Sequence, residues 1–177
     1  MTNEQLIKKC LDGNARAQKL LYEQFGPKLM GVCFRYATSG EEAQDLLQDG
    51  FIKIFEKLDK YSGIGSFEGW MRRIIVNTAL DNIRKNKKFL LHTDIDDADY
   101  KLPSNDFIEE RLAAQDLLKI LQSIPLGYKT IFNLYAIEGY SHKEIAEQLN
   151  ITTSTSKSQY SRAKALLRDK ITKLNLT

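Results

Sequence analysis

The sequence predicts an all-α chain of two small helical domains, the second of them a helix-turn-helix. Three observations carry this. The 177 residues hold only three prolines and no long β-branched run. Apolar residues recur at helical spacing in successive segments, several of them opened by a capping Ser or Thr. Charge falls in blocks: residues 72–88 carry six positive groups against Asp81, residues 89–110 carry seven acidic groups against Lys101, and residues 152–177 carry six positive groups against Asp169. The acidic stretch mixes Asp, Pro and Ser without helical period, which marks a tether. The expected division is residues 1–90, an acidic linker at 91–105, and residues 106–177.

Taken in order, residues 3–12 read as a short helix ended by Asp12-Gly13. Asn14 to Phe25 reads as a second helix, which Gly26-Pro27 should break or kink before it resumes over Lys28 to Ala37. Ser39 and Glu42 have capping-box spacing and start a helix expected to reach about Lys60. Ala43, Leu46, Leu47, Ile54 and Leu58 face inward there, while Asp45, Gln48, Asp49 and Lys53 face out. Gly50 in mid-helix costs about 1 kcal/mol relative to Ala and has no local compensation. Tyr61 to Gly65 is a glycine turn.

The most informative segment follows, from Ser66 to Lys85. Ser66 caps it, Glu68 suits the positive helix end, and Met71, Ile75, Ala79 and Ile83 make one buried stripe. Arg73, Asn77, Asp81 and Arg84 share a different face. Phe67 and Trp70 crowd the start, with Arg72, Lys85, Lys87 and Lys88 adding positive charge. Aromatic rings beside basic and amide groups suit single-stranded nucleic acid, whose bases stack and whose phosphates need neutralising.

In the second half, Phe107 to Gln122 is amphipathic, with Leu112, Leu117, Leu118 and Leu121 as its expected buried set. Pro125 opens a helix ending near Glu138-Gly139. Ser141 and Glu144 then form a capping box, Ile145, Leu149 and Ile151 bury, Ala146 allows a close helix crossing, and Asn150 takes a tight turn that favours positive φ. Thr152 caps a last helix to about Lys173. This is a helix-turn-helix pattern, whose second helix enters the major groove. Thr153, Ser154, Thr155, Lys157, Ser158, Gln159 and Arg162 would then approach DNA. Lys157 and Gln159 suit base edges best, and the hydroxyls and Arg162 suit phosphates.

Composition narrows the function classes. At 42% hydrophobic and 28% charged residues the chain is a globular protein, and its net charge of +3 is too small to imply nucleic acid by itself. No apolar run approaches the roughly 20 residues that span a bilayer, and the first residues lack an apolar signal core, so a cytoplasmic protein without membrane contact of its own is expected. Cys10 and Cys33 have no CxxC spacing and read as buried thiols. Asp94 to Asp99 lacks the glycine and closing glutamate of a calcium loop, so no metal is expected. No phosphate loop appears, and His92 and His142 have no catalytic partners; neither an enzyme nor a cofactor is expected. A free-standing helix-turn-helix regulator would leave the aromatic-basic helix idle. An adaptor that uses its amphipathic helices for protein contact is the other alternative.

With both halves in view, the chain resembles an RNA polymerase sigma factor of the extracytoplasmic-function type. The resemblance rests on A-Q-D-L-L-Q-D-G-F-I-K-I-F, on F-E-G-W-M-R-R-I-I-V-N-T-A-L-D-N-I-R-K and on Ser141–Leu167, in that order and spacing. It implies that Asp45, Gln48, Asp49 and Phe51 dock on the β′ clamp helices of core polymerase. It also implies that Tyr61, Phe67, Trp70, Arg72, Arg73, Asn77, Asp81, Arg84 and Lys85 melt and read the minus-ten promoter element as single strand. The second domain would read the minus-thirty-five element as duplex and meet the β flap, and an anti-sigma factor would hold the chain inactive. Ser154 stands where the family often has glycine, and Ser156 and Tyr160 where it has larger aliphatics.

Overall fold

The computed structural model describes residues 1–86 and 109–175. The expected acidic linker lies outside them, as does the side chain of Leu112. All regular structure among the described residues is helical. Helix α1 (Asn3–Leu11) is held by a reciprocal box between Thr2 and Gln5. Helix α2 (Ala15–Tyr36) starts where the Asn14 side chain accepts from the backbone N–H groups of Arg16 and Ala17.

Of the expected break or kink at Gly26-Pro27, the break does not occur, and α2 runs through both residues. A residue before proline normally leaves the helical region because its Cβ meets the proline ring. Gly26 has no Cβ, and its bare face packs against the Tyr22 ring.

Helix α3 (Gly40–Glu56) is capped by Ser39, which accepts from the Glu42 N–H at 3.0 Å. Glu42 does not return the bond to Ser39; its carboxylate accepts from the backbone N–H and hydroxyl of Thr38 instead. The α-helical part is shorter than expected, because Leu58–Lys60 tighten into a 3₁₀ turn. Helix α4 (Phe67–Lys85) begins at Ser66, which accepts from Gly69 N–H at 3.2 Å. Its expected stripe of Met71, Ile75, Ala79 and Ile83 is buried throughout.

The reason for Gly50 is tertiary. A Cβ built at that position would lie 2.1 Å from Cδ1 of Ile75, so α3 and α4 cross where only a bare backbone fits. Ile75 is fully buried, so its terminal methyl can move aside only by displacing packed neighbours. Gly50→Ala therefore exchanges a helix-propensity gain of about 1 kcal/mol for overpacking of about 1–3 kcal/mol. We expect a net loss, read as a lower denaturant midpoint with an unchanged slope; a stabilised variant would show that the crossing has slack.

The second half contains α5 (Glu109–Gln122), α6 (Leu126–Phe132), α7 (His142–Leu149) and α8 (Thr153–Asn175). Leu121 is buried as expected, but Leu117 is 56% exposed and does not belong to the core. After α6 the chain widens into a π turn over Asn133–Ile137, with Glu138 N–H donating back to Asn133 O at 2.9 Å. The Ser141–Glu144 box forms in both directions, and Asn150 takes the left-handed conformation at φ 54°. Thr152 accepts from Thr155 N–H at 3.0 Å and opens α8.

The two halves do not stand apart. Ile131, Leu134, Ile145 and Leu149 pack into the same apolar core as α2, α3 and α4. Ile120, Leu121, Ile124, Ala163 and Leu167 form a second, smaller cluster. The end of α2 is also capped by the other half. Phe34 O accepts from Gln122 Nε2 at 2.8 Å, Arg35 O from Asn133 Nδ2 at 2.7 Å and Ala37 O from Lys129 Nζ at 2.8 Å. A helix C-terminus leaves such carbonyls without intrahelical donors, and here they are met by side chains about ninety residues away.

Candidate nucleic-acid interface

The start of α4 gathers three rings. Phe67 and Trp70 lie nearly parallel with centroids 5.8 Å apart, and Tyr61 stands 5.0 Å from Phe67 and 5.5 Å from Trp70. Phe67 is buried and meets Phe25 edge-on, while Tyr61 and Trp70 are half-buried. Of the sequence-predicted set, Phe67 thus supports the cluster from inside, and Trp70 and Tyr61 form its surface. The Tyr61 hydroxyl donates to Gly65 O at 2.9 Å and closes the preceding loop. Gly63 and Gly65 have φ of +74° and +81°, which side-chain-bearing residues rarely adopt. Between them Ile64 is 86% exposed. Sequence reasoning missed this residue, although an isoleucine bracketed by two glycines was its signal.

Along α4, Arg73, Asn77 and Lys85 are exposed. Arg72, Asp81 and Arg84 are half-buried and engaged. Asp81 accepts from Lys53 Nζ at 3.3 Å and from Arg84. Burial alone would raise the Asp81 carboxyl, but the hydrogen bonds from Arg84 and Lys53 outweigh it and hold it below the usual range. Arg84 also donates to Gln148 O at 3.0 Å and Gln148 Oε1 at 3.1 Å, tying α4 to α7. Arg72 donates from Nε and Nη2 to the Glu138 carboxylate at 3.1 and 2.9 Å. A cleft of about 520 Å³ separates Arg73 and Asn77 from Tyr140 and Glu144.

On α3, Asp45, Gln48 and Asp49 are exposed as expected. Phe51 is not: it is 3% exposed, with its ring 4.7 Å from Tyr22 and 6.0 Å from Phe55. The outward residue is Ile52, 56% exposed. Positions 45, 48, 49 and 52 share one helical face at steps of three, one and three, so the face is acidic and amide with one apolar residue.

On α8, Thr153, Ser154, Lys157, Ser158 and Arg162 are exposed and Thr155 and Gln159 are half-buried. Ser161, absent from the expected set, completes the exposed ridge. Ser156 is fully buried, with its hydroxyl 2.9 Å from Nδ1 of His142. His142 stacks on Tyr135 at 4.2 Å, and Tyr160 packs against Tyr135 at 4.5 Å. The serine and tyrosine that depart from the family's aliphatics are thus compensated by an imidazole and a second tyrosine.

Lys129, between the halves, is 2% exposed, and burial, only partly offset by the Glu42 carboxylate, lowers its ammonium to about 8. Unfolded, the group titrates near the ordinary lysine value of 10.5. Between those pH values the unfolded chain binds more protons, so this group makes folding more favourable as pH rises from about 8 to 10.5. Cys33 acts oppositely: burial lifts its thiol from 9.0 to about 12, so stability falls above pH 9.0 as the unfolded thiol ionises. Comparison with Lys129→Met isolates the first effect. The stability of the wild type relative to the variant should rise between pH 8 and 10 by at most about 1.4 kcal/mol per pH unit. A flat difference would show that the Lys129 charge is not desolvated.

Among the described residues no group of three His, Cys, Asp or Glu is placed to share a metal, and no helix is long and apolar enough to cross a membrane. The fold and its faces define a two-domain helical protein with an aromatic-basic helix in one domain and a helix-turn-helix in the other. Residues 21–89 match the Sigma-70 region 2 family and residues 114–167 match Sigma-70 region 4. The chain is 31% identical over 159 residues to the ECF RNA polymerase sigma factor SigE of Mycolicibacterium smegmatis, covering 86% of this chain and 61% of that protein. It is 28% identical over 182 residues to the ECF RNA polymerase sigma-E factor of Haemophilus influenzae, covering 97% and 96%. Among solved structures, the sigma factor RpoE in complex with the anti-sigma factor NepR from Bartonella quintana aligns with a TM-score of 0.49 at 21% identity, over 87% of this chain and 96% of that one. The chain belongs to the ECF family of RNA polymerase sigma factors, and its function is transcription initiation. Sigma factors are not enzymes.

Proposed function

We propose that residues 1–90 bind core RNA polymerase and open promoter DNA, and that residues 106–177 read the upstream element as duplex. The observation that carries this is the Tyr61–Phe67–Trp70 cluster, placed between the exposed Ile64 loop and the exposed Arg73 and Asn77. Melting a few base pairs costs several kcal/mol, roughly 1–3 kcal/mol of which is returned by each base that stacks on a ring. Arg73 and Lys85 neutralise the strand's phosphates, and Asn77 reads a base edge. The α3 face of Asp45, Gln48, Asp49 and Ile52 is the docking surface for the β′ clamp helices, with Phe51 holding that helix in place from the core.

The exposed ridge of α8 enters the major groove at the minus-thirty-five element, and the second domain meets the β flap. An anti-sigma factor is the third partner. Leu117, Ile137 and Ile171, all exposed around the groove between α2, α5 and α8, give such a partner an apolar surface to cover.

The test is transcription from a genomic DNA library by purified chain and core polymerase, with start sites mapped. Specific starts, sharing two spaced elements upstream, are expected. Tight operator binding by the chain alone, with no polymerase association, would replace this reading with a free-standing regulator.

A further inference from the structure

His142 opens α7, and only part of its ring is engaged by the helix-turn-helix. The imidazole stacks on Tyr135 at 4.2 Å and meets the Tyr160 ring edge-on at 5.7 Å. Nδ1 lies 2.9 Å from the hydroxyl of Ser156, which is fully buried. These contacts fix both the plane and the rotation of the ring. Nε2 has no hydrogen-bond partner among the described residues, and it is not sealed away from solvent. The ring borders an open cleft of about 680 Å³, shared with Tyr135, Lys143, Glu144, Thr153 and Lys157. Nε2 is therefore an oriented, unpaired polar atom beside a solvent-filled space.

The groups around that space suit an anion. Lys143 and Lys157 are exposed. Glu144 is the one acidic residue on the cleft, and its Oε2 already accepts from the Ser141 N–H at 2.8 Å. The titratable groups near the ring are Tyr135 from the π turn, Tyr140 from the loop after it, Lys143 and Glu144 on α7, and Lys157 and Tyr160 on α8. Of these, Lys157 is the charge that acts on the imidazole. Burial, then Lys157, holds the ring below the ordinary histidine value of 6.5, so it is neutral in the free chain at neutral pH. An anion seated between His142 and Lys157 cancels the second cause and draws a proton onto the ring. Ser156 suits both forms, because a hydroxyl can donate to bare Nδ1 or accept from Nδ1–H.

Thr153 and Lys157 also belong to the α8 ridge assigned above to the major groove, so the cleft adjoins the bound duplex. The anions at the edge of a major groove are backbone phosphates. We propose that His142 donates from Nε2 to a backbone phosphate of the duplex held by the second domain, and that the contact takes up a proton. The DNA-binding surface then extends from α8 to the start of α7. Affinity for the upstream element rises as pH falls, because the complex binds one more proton than the free chain. The inference rests on the reading of α8 as the duplex reader.

The test uses holoenzyme assembled from the full chain and core polymerase. The probe is a fluorescein-labelled duplex carrying the upstream element of a mapped promoter, followed by anisotropy across a salt series. Wild type should bind at least about threefold tighter than His142→Gln near pH 6, and within about twofold of it near pH 8. Near pH 6 the wild-type salt slope should also be steeper than that of the variant by about 0.9, the increment for one added cation. His142→Phe keeps the stack on Tyr135 and should give the same result, so the comparison stands if the amide disturbs the packing. The chain has two histidines, and His92→Gln should keep the full pH dependence.

A wild-type advantage that is the same at both pH values overturns the proposal and makes His142 a packing residue. A pH-dependent gain that survives in both His142 variants, or disappears in His92→Gln, overturns it as well. Lys157→Ala combined with Arg162→Ala is measured on the same duplex. If that double variant weakens binding while the His142 variants titrate like the wild type, the inference alone fails. If neither the double variant nor the His142 variants change binding, the reading of α8 as the duplex reader fails with it.

Discussion

Trp70→Ala is expected to slow promoter opening by roughly tenfold to a hundredfold while polymerase affinity changes by less than about twofold. The magnitude follows from stacking, which contributes about 1–3 kcal/mol per base, each 1.4 kcal/mol being about a factor of ten. The separation of the two effects follows from position. Trp70 is half-buried on the α4 side of the aromatic cluster, whereas Asp45, Gln48, Asp49 and Ile52, the exposed residues proposed to dock on polymerase, lie on α3. Because the indole rests on Phe67 and Tyr61, its removal also loosens the cluster. Trp70→Phe, which keeps a ring, should recover most of the opening rate at a similar melting temperature. Opening would be followed by 2-aminopurine fluorescence at the minus-ten element and polymerase affinity by competition. An equal loss of both, or a Phe variant as slow as the Ala variant, would make Trp70 a packing residue only.

What could be read from the sequence was what is local. The Ser66 cap, the four-residue stripe of α4, the Ser141–Glu144 box and the left-handed Asn150 each depend on residues within a turn or two, and each is present. The failures have long-range causes. Gly50 makes sense only against Ile75 on another helix. Phe51 and Ile52 are adjacent apolar residues about 100° apart on α3, and composition cannot tell which faces the core; counting three and four from Asp45 and Asp49 would have favoured Ile52. Leu117 is one leucine among several in an amphipathic helix, so its exposure depends on what α5 packs against. The seam between the halves was invisible for a similar reason. Gln122, Lys129, Asn133 and Glu138 act on backbone carbonyls and guanidinium groups far along the chain, and such pairs have no periodicity. A sequence reading that treated the halves as independent therefore placed both helices but not the contacts that join the halves.

The recognition helix supports the second large prediction. Thr153, Ser154, Lys157, Ser158, Ser161 and Arg162 form its exposed ridge, and Lys157 and Arg162 are the only cations among them. The helix is pinned from behind by the buried Ser156 on His142 and by Tyr160 against Tyr135 and Phe132, with Lys164 Nζ lying 4.8 Å above the Tyr160 ring. Lys164 is thereby occupied on the inner side, and the outer face depends on two charges. Replacing Lys157 and Arg162 together with Ala should weaken holoenzyme binding to a promoter with an intact upstream element by roughly tenfold or more. It should also lower the salt slope by about two, one for each lost cation. Core polymerase binding, and opening of a template already melted at minus ten, should not change. The single variants separate the roles. If Arg162 holds a phosphate, its loss weakens all upstream sequences alike; if Lys157 donates to a guanine edge, its loss flattens the preference at one position by about 1–3 kcal/mol. The measurement is holoenzyme affinity for a promoter library randomised across the upstream element. Unchanged affinity and preference in the double variant would mean that another face of the second domain meets the duplex, and that the exposed ridge of α8 serves a protein partner instead.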